Sequence, residues 1–190
     1  MMDIDDYFRA AYNRVIVAGY LDEIKWCRDR PPFEKCTPEI FFREYVWCVL
    51  NAGMKEQIAR KIFEKFMANK DPLVVGHLGK RKAIQRAMRE YPNWFAAVQR
   101  SADPIEYLKT FPWIGDITKY HLARNIGFDC VKPDRHLVRL AEHFKFNSPL
   151  EMCEAIRELI PEKLGVIDVV LWRDCNIRQQ QHQRTGDDGK

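Results

Sequence analysis

The chain has no long apolar run: nothing in its 190 residues approaches the roughly 20 consecutive apolar positions that a membrane-spanning helix needs. The opening Met1-Met2-Asp3-Ile4-Asp5-Asp6 is acidic where a secretory signal is basic and then apolar. No membrane partner is expected, and the location expected is the cytoplasm. Charge of one sign is missing as well. Lys+Arg number 31 against 27 Asp+Glu, a formal +4, which permits nucleic-acid binding without selecting it over an ordinary mixed-charge surface. The six cysteines (Cys27, Cys36, Cys48, Cys130, Cys153, Cys175) include no CxxC and no Cys/His pair at zinc-ligand spacing. Several lie among apolar residues, as in Val46-Trp47-Cys48-Val49, and read as buried structural thiols. No metal and no cofactor are expected. There is no internal repeat and no run of alternating apolar and polar residues, which excludes a strand-built core.

What is present is helix punctuation. Thr37-Pro38, Asp71-Pro72, Asp103-Pro104 and Ser148-Pro149 each pair a side-chain oxygen that caps a helix with the imino acid tolerated in its first turn. Ser148-Pro149-Leu150-Glu151 has the spacing of a capping box. Helical periodicity follows. Ile40, Phe41, Tyr45, Cys48 and Val49 make one apolar stripe; Ile58, Ile62, Phe63 and Phe66 make another. Gly115 and Gly127 bracket a helix of about three turns, and Pro133 separates it from one opening at Asp134. The reading is an all-α globule of about nine or ten short helices. With 46% hydrophobic residues it closes one domain over 1–178, in one or two lobes. Residues 179–190, polar and Gly/Asp-rich, read as a disordered tail.

The most informative stretch is Phe111-Pro112-Trp113-Ile114-Gly115-Asp116-Ile117-Thr118-Lys119. A helix ending near Leu108 and one beginning near Asp116 are joined by a turn made tight by Pro112 and Gly115. A Gly where a helix begins lets a phosphate approach the unpaired N–H groups of the first turn, where the helix dipole favours an anion. Pro112, Trp113, Ile114, Gly115, Thr118 and Lys119 are therefore candidate DNA contacts that hold the duplex without reading its sequence. A plain helix connection capped by Asp116 accounts for this stretch equally well.

The hairpin is followed at fixed distance by Tyr120-His121-Leu122-Ala123-Arg124-Asn125-Ile126-Gly127 and then Val131-Lys132-Pro133-Asp134-Arg135-His136. A hairpin (105–127), one helix, a Gly-containing turn and an Asp opening the next helix resemble the helix-hairpin-helix DNA glycosylase superfamily. The likeness is specific from about Phe111 to Leu140. It is weaker over Phe42–Phe66, whose break at Leu50-Asn51-Ala52-Gly53-Met54 is similar to the turn that fills the gap left by an extruded base. The resemblance implies a glycosylase-like helical globule, double-stranded DNA as partner, base flipping, and Asp134 as the catalytic carboxylate. It makes Asn51 and Met54 pocket candidates. Departures refine it. Bifunctional members carry a Lys two residues after the hairpin Gly, where this chain has Ile117. Iron–sulfur members carry four cysteines beyond the Asp, where this chain has Cys153 and Cys175. Trp113 replaces the first hairpin Gly, and Asp116 sets a negative charge near the phosphate position.

Asp134 after Pro133 is also a natural N-cap, and the two roles are compatible, since a carboxylate at a helix N-terminus stays ionised. Lys132 and Arg135 put two cations beside it. Positive charge opposes a cationic sugar transition state but suits expulsion of phosphate, so both are candidates for binding the leaving group; pointing to solvent or to the DNA backbone is the other reading. This stretch is similar to a phage-associated branch, the alpha-glutamyl/putrescinyl thymine pyrophosphorylase-like proteins or amino acid:DNA transferases. That branch implies thymidine hypermodification. An amino acid or amine replaces the phosphate of phosphorylated 5-hydroxymethyluracil in DNA, in the host cytoplasm, with the enzyme a monomer. A monofunctional glycosylase is the alternative, and a non-catalytic DNA-binding module a second. Asp168, inside the apolar Gly165-Val166-Ile167-Asp168-Val169-Val170-Leu171-Trp172, is either a pocket residue or the partner of a nearby Arg. Trp172 either stacks on a flipped base or belongs to the core.

With Ile117 in the amine's place no Schiff base to an opened sugar can form, so borohydride reduction is expected to trap no covalent protein–DNA adduct. A trapped adduct that persists after Lys119→Ala would show that another amine does this chemistry.

Overall fold

The computed structural model describes residues 3–187, with side chains through 181. Ten α-helices and two 3-10 turns make up the regular structure among the described residues, with no strand. They are α1 (Ile4–Val17), α2 (Leu21–Asp29), α3 (Pro38–Asn51), α4 (Glu56–Asn69), α5 (Leu78–Arg100), α6 (Pro104–Leu108), α7 (Thr118–Asn125), α8 (Arg135–His143), α9 (Pro149–Leu159) and α10 (Leu164–Asp187). No helix among the described residues is long and apolar enough to cross a membrane.

The four cap sites read from Ser/Thr/Asp-Pro all form. Thr37 accepts from the N–H of Ile40 at 3.3 Å, Asp103 from Glu106 at 2.9 Å, and Ser148 from Glu151 at 3.1 Å. Asp71 caps a 3-10 turn, Pro72–Val74, rather than an α-helix. The capping box is displaced by one residue: Glu151 reaches back to the N–H of Asn147 at 2.8 Å. Two helices are not short. α5 runs 23 residues through Pro92, whose exposed ring is tolerated on the solvent side, and α10 runs 24. The tail expected from 179 is therefore helical through Asp187, and 188–190 lie outside the described residues. Extending a helix that is already nucleated costs little, and the Gln and Arg residues there are good helix formers despite their polarity. The second apolar stripe is only partly inward: Phe66 is buried, while Ile58 is 51% exposed.

The chain forms two compact units, one discontinuous (1–30 with 129–190) and one continuous (31–128). In the discontinuous unit α10 packs against α1, α2, α8 and α9. Its core includes Phe8, Val15, Ile24, Leu137, Met152, Ile156, Ile167 and Val170. In the continuous unit α3 packs on α4, α5 and α7. An aromatic cluster fills that core, with Phe111 stacked on Trp94 at 4.8 Å and Phe41 edge-on to Phe111 at 5.7 Å. Of the six cysteines, Cys27, Cys48, Cys130 and Cys153 are buried; Cys36 and Cys175 are half-buried.

Gly127 ends α7 at φ +107°, and a Cβ there would lie 2.3 Å from the carbonyl oxygen of Pro31 and 2.7 Å from the nitrogen of Phe33. Backbone cannot yield as a side-chain tip can, so Gly127→Ala is expected to cost at least about 3 kcal/mol in urea denaturation. Gly53, at φ +67° with open space around its Cβ position, is the control. Gly53→Ala should cost only about 1 kcal/mol, from the left-handed backbone alone.

Candidate DNA-binding hairpin and carboxylate site

The hairpin lies in the continuous unit. α6 is a single capped turn, and α7 starts at Thr118, two residues later than Asp116. The connection is fixed from beneath. Leu108, Phe111 and Ile114 are buried, and the Tyr45 hydroxyl on α3 donates to the carbonyl of Pro112 at 2.8 Å. Burial pushes the Tyr45 hydroxyl well above its ordinary pKa, so it remains a donor. α6 and α7 are also pinned by charge: Glu106 receives Lys119 and Lys109, and Lys109 is 3.5 Å from Asp116. Those two ammonium groups hold the Glu106 carboxyl below its usual range. Lys119, 7% exposed, is thus committed inside the hairpin.

This sorts the expected DNA contacts. Ile114 and Lys119 are turned inward, so their side chains are not what the hairpin offers to a duplex; Ile114 anchors the turn in the core and Lys119 neutralises Glu106. Pro112 contributes its carbonyl to Tyr45. The outward surface consists of Trp113, 41% exposed, with Gly115 and, half-buried, Thr118; Ile117 and Asp116 are also exposed. No acceptor meets the backbone N–H groups of Gly115, Asp116 and Ile117 among the described residues, so they remain available to an anion.

Trp113 holds φ +66°, a left-handed conformation that costs a bulky residue on the order of 1 kcal/mol and persists only where its surroundings enforce it. The Trp113 indole packs on Gly79, where a Cβ would come within 3.0 Å of Cζ2, and meets His77 edge-on at 5.1 Å. The Lys80 ammonium lies 5.6 Å from its centroid. Lys80 is 3% exposed and donates to the carbonyls of Leu50 and Ala52 at 2.9 and 2.6 Å, closing the C-terminus of α3. Burial lowers its pKa. Lys80 therefore ties the turn carrying Asn51 and Met54, both half-buried, to the hairpin. Sequence reading passed it over, because Gly79-Lys80-Arg81-Lys82 looks like a solvated basic run.

The carboxylate lies in the discontinuous unit. Asp134 opens α8, and Oδ1 accepts from the N–H of His136 at 2.9 Å and of Leu137 at 3.2 Å. Its side chain is 12% exposed, and Lys132 Nζ stands 3.9 Å from Oδ2. Asp168, 2% exposed on α10, accepts the backbone N–H of Lys132. Neither alternative weighed for it anticipates that partner. A buried carboxylate thus grips the loop two residues before Asp134, and the Asp134 N–H in turn donates to the Lys132 carbonyl at 2.8 Å. Asp129 fixes the far end of the same loop by accepting from Gly165 N–H at 2.9 Å. Lys132 is therefore brought to Asp134. Arg135 is exposed, with no ion pair to Asp134. Trp172 is half-buried beneath the Arg173 guanidinium, 4.8 Å from its ring.

No protein-family model matches the chain, and no curated protein matches it. A solved structure does: the 8-oxoguanine glycosylase/lyase of Methanocaldococcus jannaschii in complex with a 15mer DNA containing 8-oxoguanine superposes with a TM-score of 0.62 at 20% identity, over 86% of this chain and 94% of that one. The fold is accordingly a glycosylase-like helical one.

A Cβ at Gly115 would meet nothing within 4 Å, so Gly115→Glu tests charge rather than folding. It is expected to leave the melting temperature unchanged and to weaken binding to duplexes of any sequence equally, with the loss shrinking as salt rises. Unchanged binding at low salt would make the hairpin a connector only.

Proposed function

We propose that the chain acts on a flipped base in double-stranded DNA, with Asp134 as its reacting carboxylate. The observation that carries this reading is the double hold on Asp134. One oxygen is fixed by two α8 N–H groups, while the preceding loop is gripped by Asp168 from α10. A plain cap needs only the first. Support comes from the fold shared with a DNA glycosylase/lyase whose structure contains DNA, and from the resemblance of residues 111–140 to the same superfamily.

Within that reading the chemistry favoured is transfer. Lys132, 3.9 Å from Asp134, places a cation where a departing phosphate gains from it and an oxocarbenium ion does not. The substrate is phosphorylated 5-hydroxymethyluracil. The nitrogen of an amino acid or amine bonds to the methylene carbon as the carbon–oxygen bond to phosphate breaks. The phosphate leaves with the bonding pair, and the proton released from nitrogen passes to Asp134. Arg135, exposed next to Asp134, is free to follow the phosphate or the DNA backbone. Excision is the second reading, favoured by the activity named for the structural neighbour, a glycosylase/lyase, and it would be monofunctional here because Ile117 stands where the resemblance puts the lyase amine. There Asp134 stabilises the sugar cation and Lys132 works against it.

Asp134→Asn decides whether the carboxylate is chemical. Asn caps about as well as Asp, within roughly 1 kcal/mol, so melting should be preserved while turnover falls by about a hundredfold or more. Nucleoside mass spectrometry of phosphorylated 5-hydroxymethyluracil DNA incubated with amino acids would show an amino-modified thymidine for transfer, and abasic sites for excision. An Asp134→Asn protein that keeps full activity would remove the assignment.

A further inference from the structure

Beside Asp134, wholly within the discontinuous unit, α1, α8 and α10 enclose an open cleft of about 680 Å³. Its walls include Tyr7, His136, Arg139, His143, Cys175 and Arg178. His136, Arg139 and His143 stand at i, i+3 and i+7 on α8, one stripe opposite the buried Leu137 and Ala141. Arg178 reaches in from α10, one turn beyond Cys175. His136, on the cleft wall, also donates its backbone N–H to Asp134.

The charge balance is what marks this cleft. No carboxylate is among the described wall residues, and Asp174 and Asp134 each bond to one of them. Asp174, fully buried, is taken by Arg14 through two bonds of 2.6 and 3.0 Å and by the Tyr7 hydroxyl at 3.1 Å. Asp134 is committed to its cap and to Lys132. Arg178 donates to Tyr7 Oη at 3.1 Å and stands 4.0 Å from Asp174, which fixes its guanidinium at the wall while half of its side chain remains exposed. Burial pushes the Tyr7 hydroxyl up to about 12 and the Cys175 thiol up to about 11, so neither adds negative charge at neutral pH. Arg14 already answers Asp174, which leaves Arg139 and Arg178 as a cationic surplus, with two imidazoles beside them.

We propose that this cleft binds a small phosphate-class oxyanion, with Arg139 and Arg178 as a two-sided clamp and His136 and His143 as further donors. A carboxylate has two oxygens to offer. Two guanidinium forks plus two ring N–H groups supply more donors than it can accept, and match the oxygens of phosphate or pyrophosphate. Binding to this cleft requires neither DNA nor turnover, so it stands apart from the role given to Asp134.

The test is calorimetric titration of the full chain with sodium pyrophosphate, and separately with inorganic phosphate, in EDTA at matched ionic strength. The expected result is one saturable pyrophosphate site, weakened about tenfold or more by Arg139→Ala or by Arg178→Ala, since each removes one charged fork. Arg60→Ala, on the exposed surface of α4, should leave it unchanged. Because Arg178 also supports Tyr7, Arg178→Lys serves as its partner variant: charge is kept and the fork is lost, and binding should fall while melting does not. Titration with a plain DNA duplex separates the sources of phosphate. Loss of duplex affinity in Arg139→Ala with no pyrophosphate site in the parent would make the cleft a DNA-backbone groove and overturn the proposal. Absence of saturation below about 10 mM, a binding energy weaker than roughly 3 kcal/mol, or binding that survives both alanine substitutions, would overturn it too.

Discussion

Two carboxylates buried on α10 organise the discontinuous unit. Asp168 and Asp174 are 2% and 0% exposed on α10, and a carboxylate out of water is tolerated only where donors surround it. Asp168 therefore demands the Lys132 backbone, and Asp174 demands Arg14 and Tyr7. The first demand sets the loop from which Asp134 projects; the second locks α1 to α10 and positions Arg178. Replacing either acid by an apolar residue would satisfy the core and leave those partners without their acceptor, so the two acids serve placement rather than cohesion.

The continuous unit is governed by a different economy. Its turn from α6 to α7 is irregular, with Trp113 in a left-handed backbone, and irregular backbone stays fixed only when it is over-determined. Phe111, Ile114 and the Tyr45 hydroxyl fix it from below, the Glu106–Lys119 pair from the side, and Gly79 and Lys80 under the indole. The outcome is a surface turn held from several sides, with the N–H groups of Gly115, Asp116 and Ile117 unbonded among the described residues. A turn held in this way would not have to be ordered when a ligand binds, and ordering it at that moment would subtract from affinity.

The two candidate elements belong to different units, the hairpin to the continuous one and the carboxylate loop to the discontinuous one. The hairpin presents unbonded backbone N–H groups and one exposed aromatic, Trp113. The loop before α8 presents a single carboxylate with a cation close by. Under the function proposed, local charge selects among the chemistries such a carboxylate supports: Ile117 stands where the resemblance puts the lyase amine, and Lys132, 3.9 Å from Asp134, favours expelling an anion.

The helices, their caps and the position of Asp134 were legible in the sequence because each is a short-range property. Thr37, Asp103, Ser148 and Asp134 cap through atoms two or three residues away, and the Phe41–Val49 stripe follows from helical period alone. The hairpin was legible for the same reason, from Pro112 and Gly115. The far partners were not. Asp168 meets a backbone 36 residues earlier, Lys80 closes a helix 28 to 30 residues earlier, and Tyr7 and Arg14 reach Asp174 across 167 and 160 residues. Likewise the sequence made Lys119 a candidate DNA contact and put Ile58 on an apolar stripe, while packing turned Lys119 inward onto Glu106 and left Ile58 exposed. Period and capping chemistry are written locally, so the sequence determined the capped starts of α3, α6, α8 and α9, while it placed the start of α7 two residues early and missed the extension of α10. Which polar groups lose their water, and therefore which partners they must find, depends on what the other helices cover, and that only the tertiary structure decided.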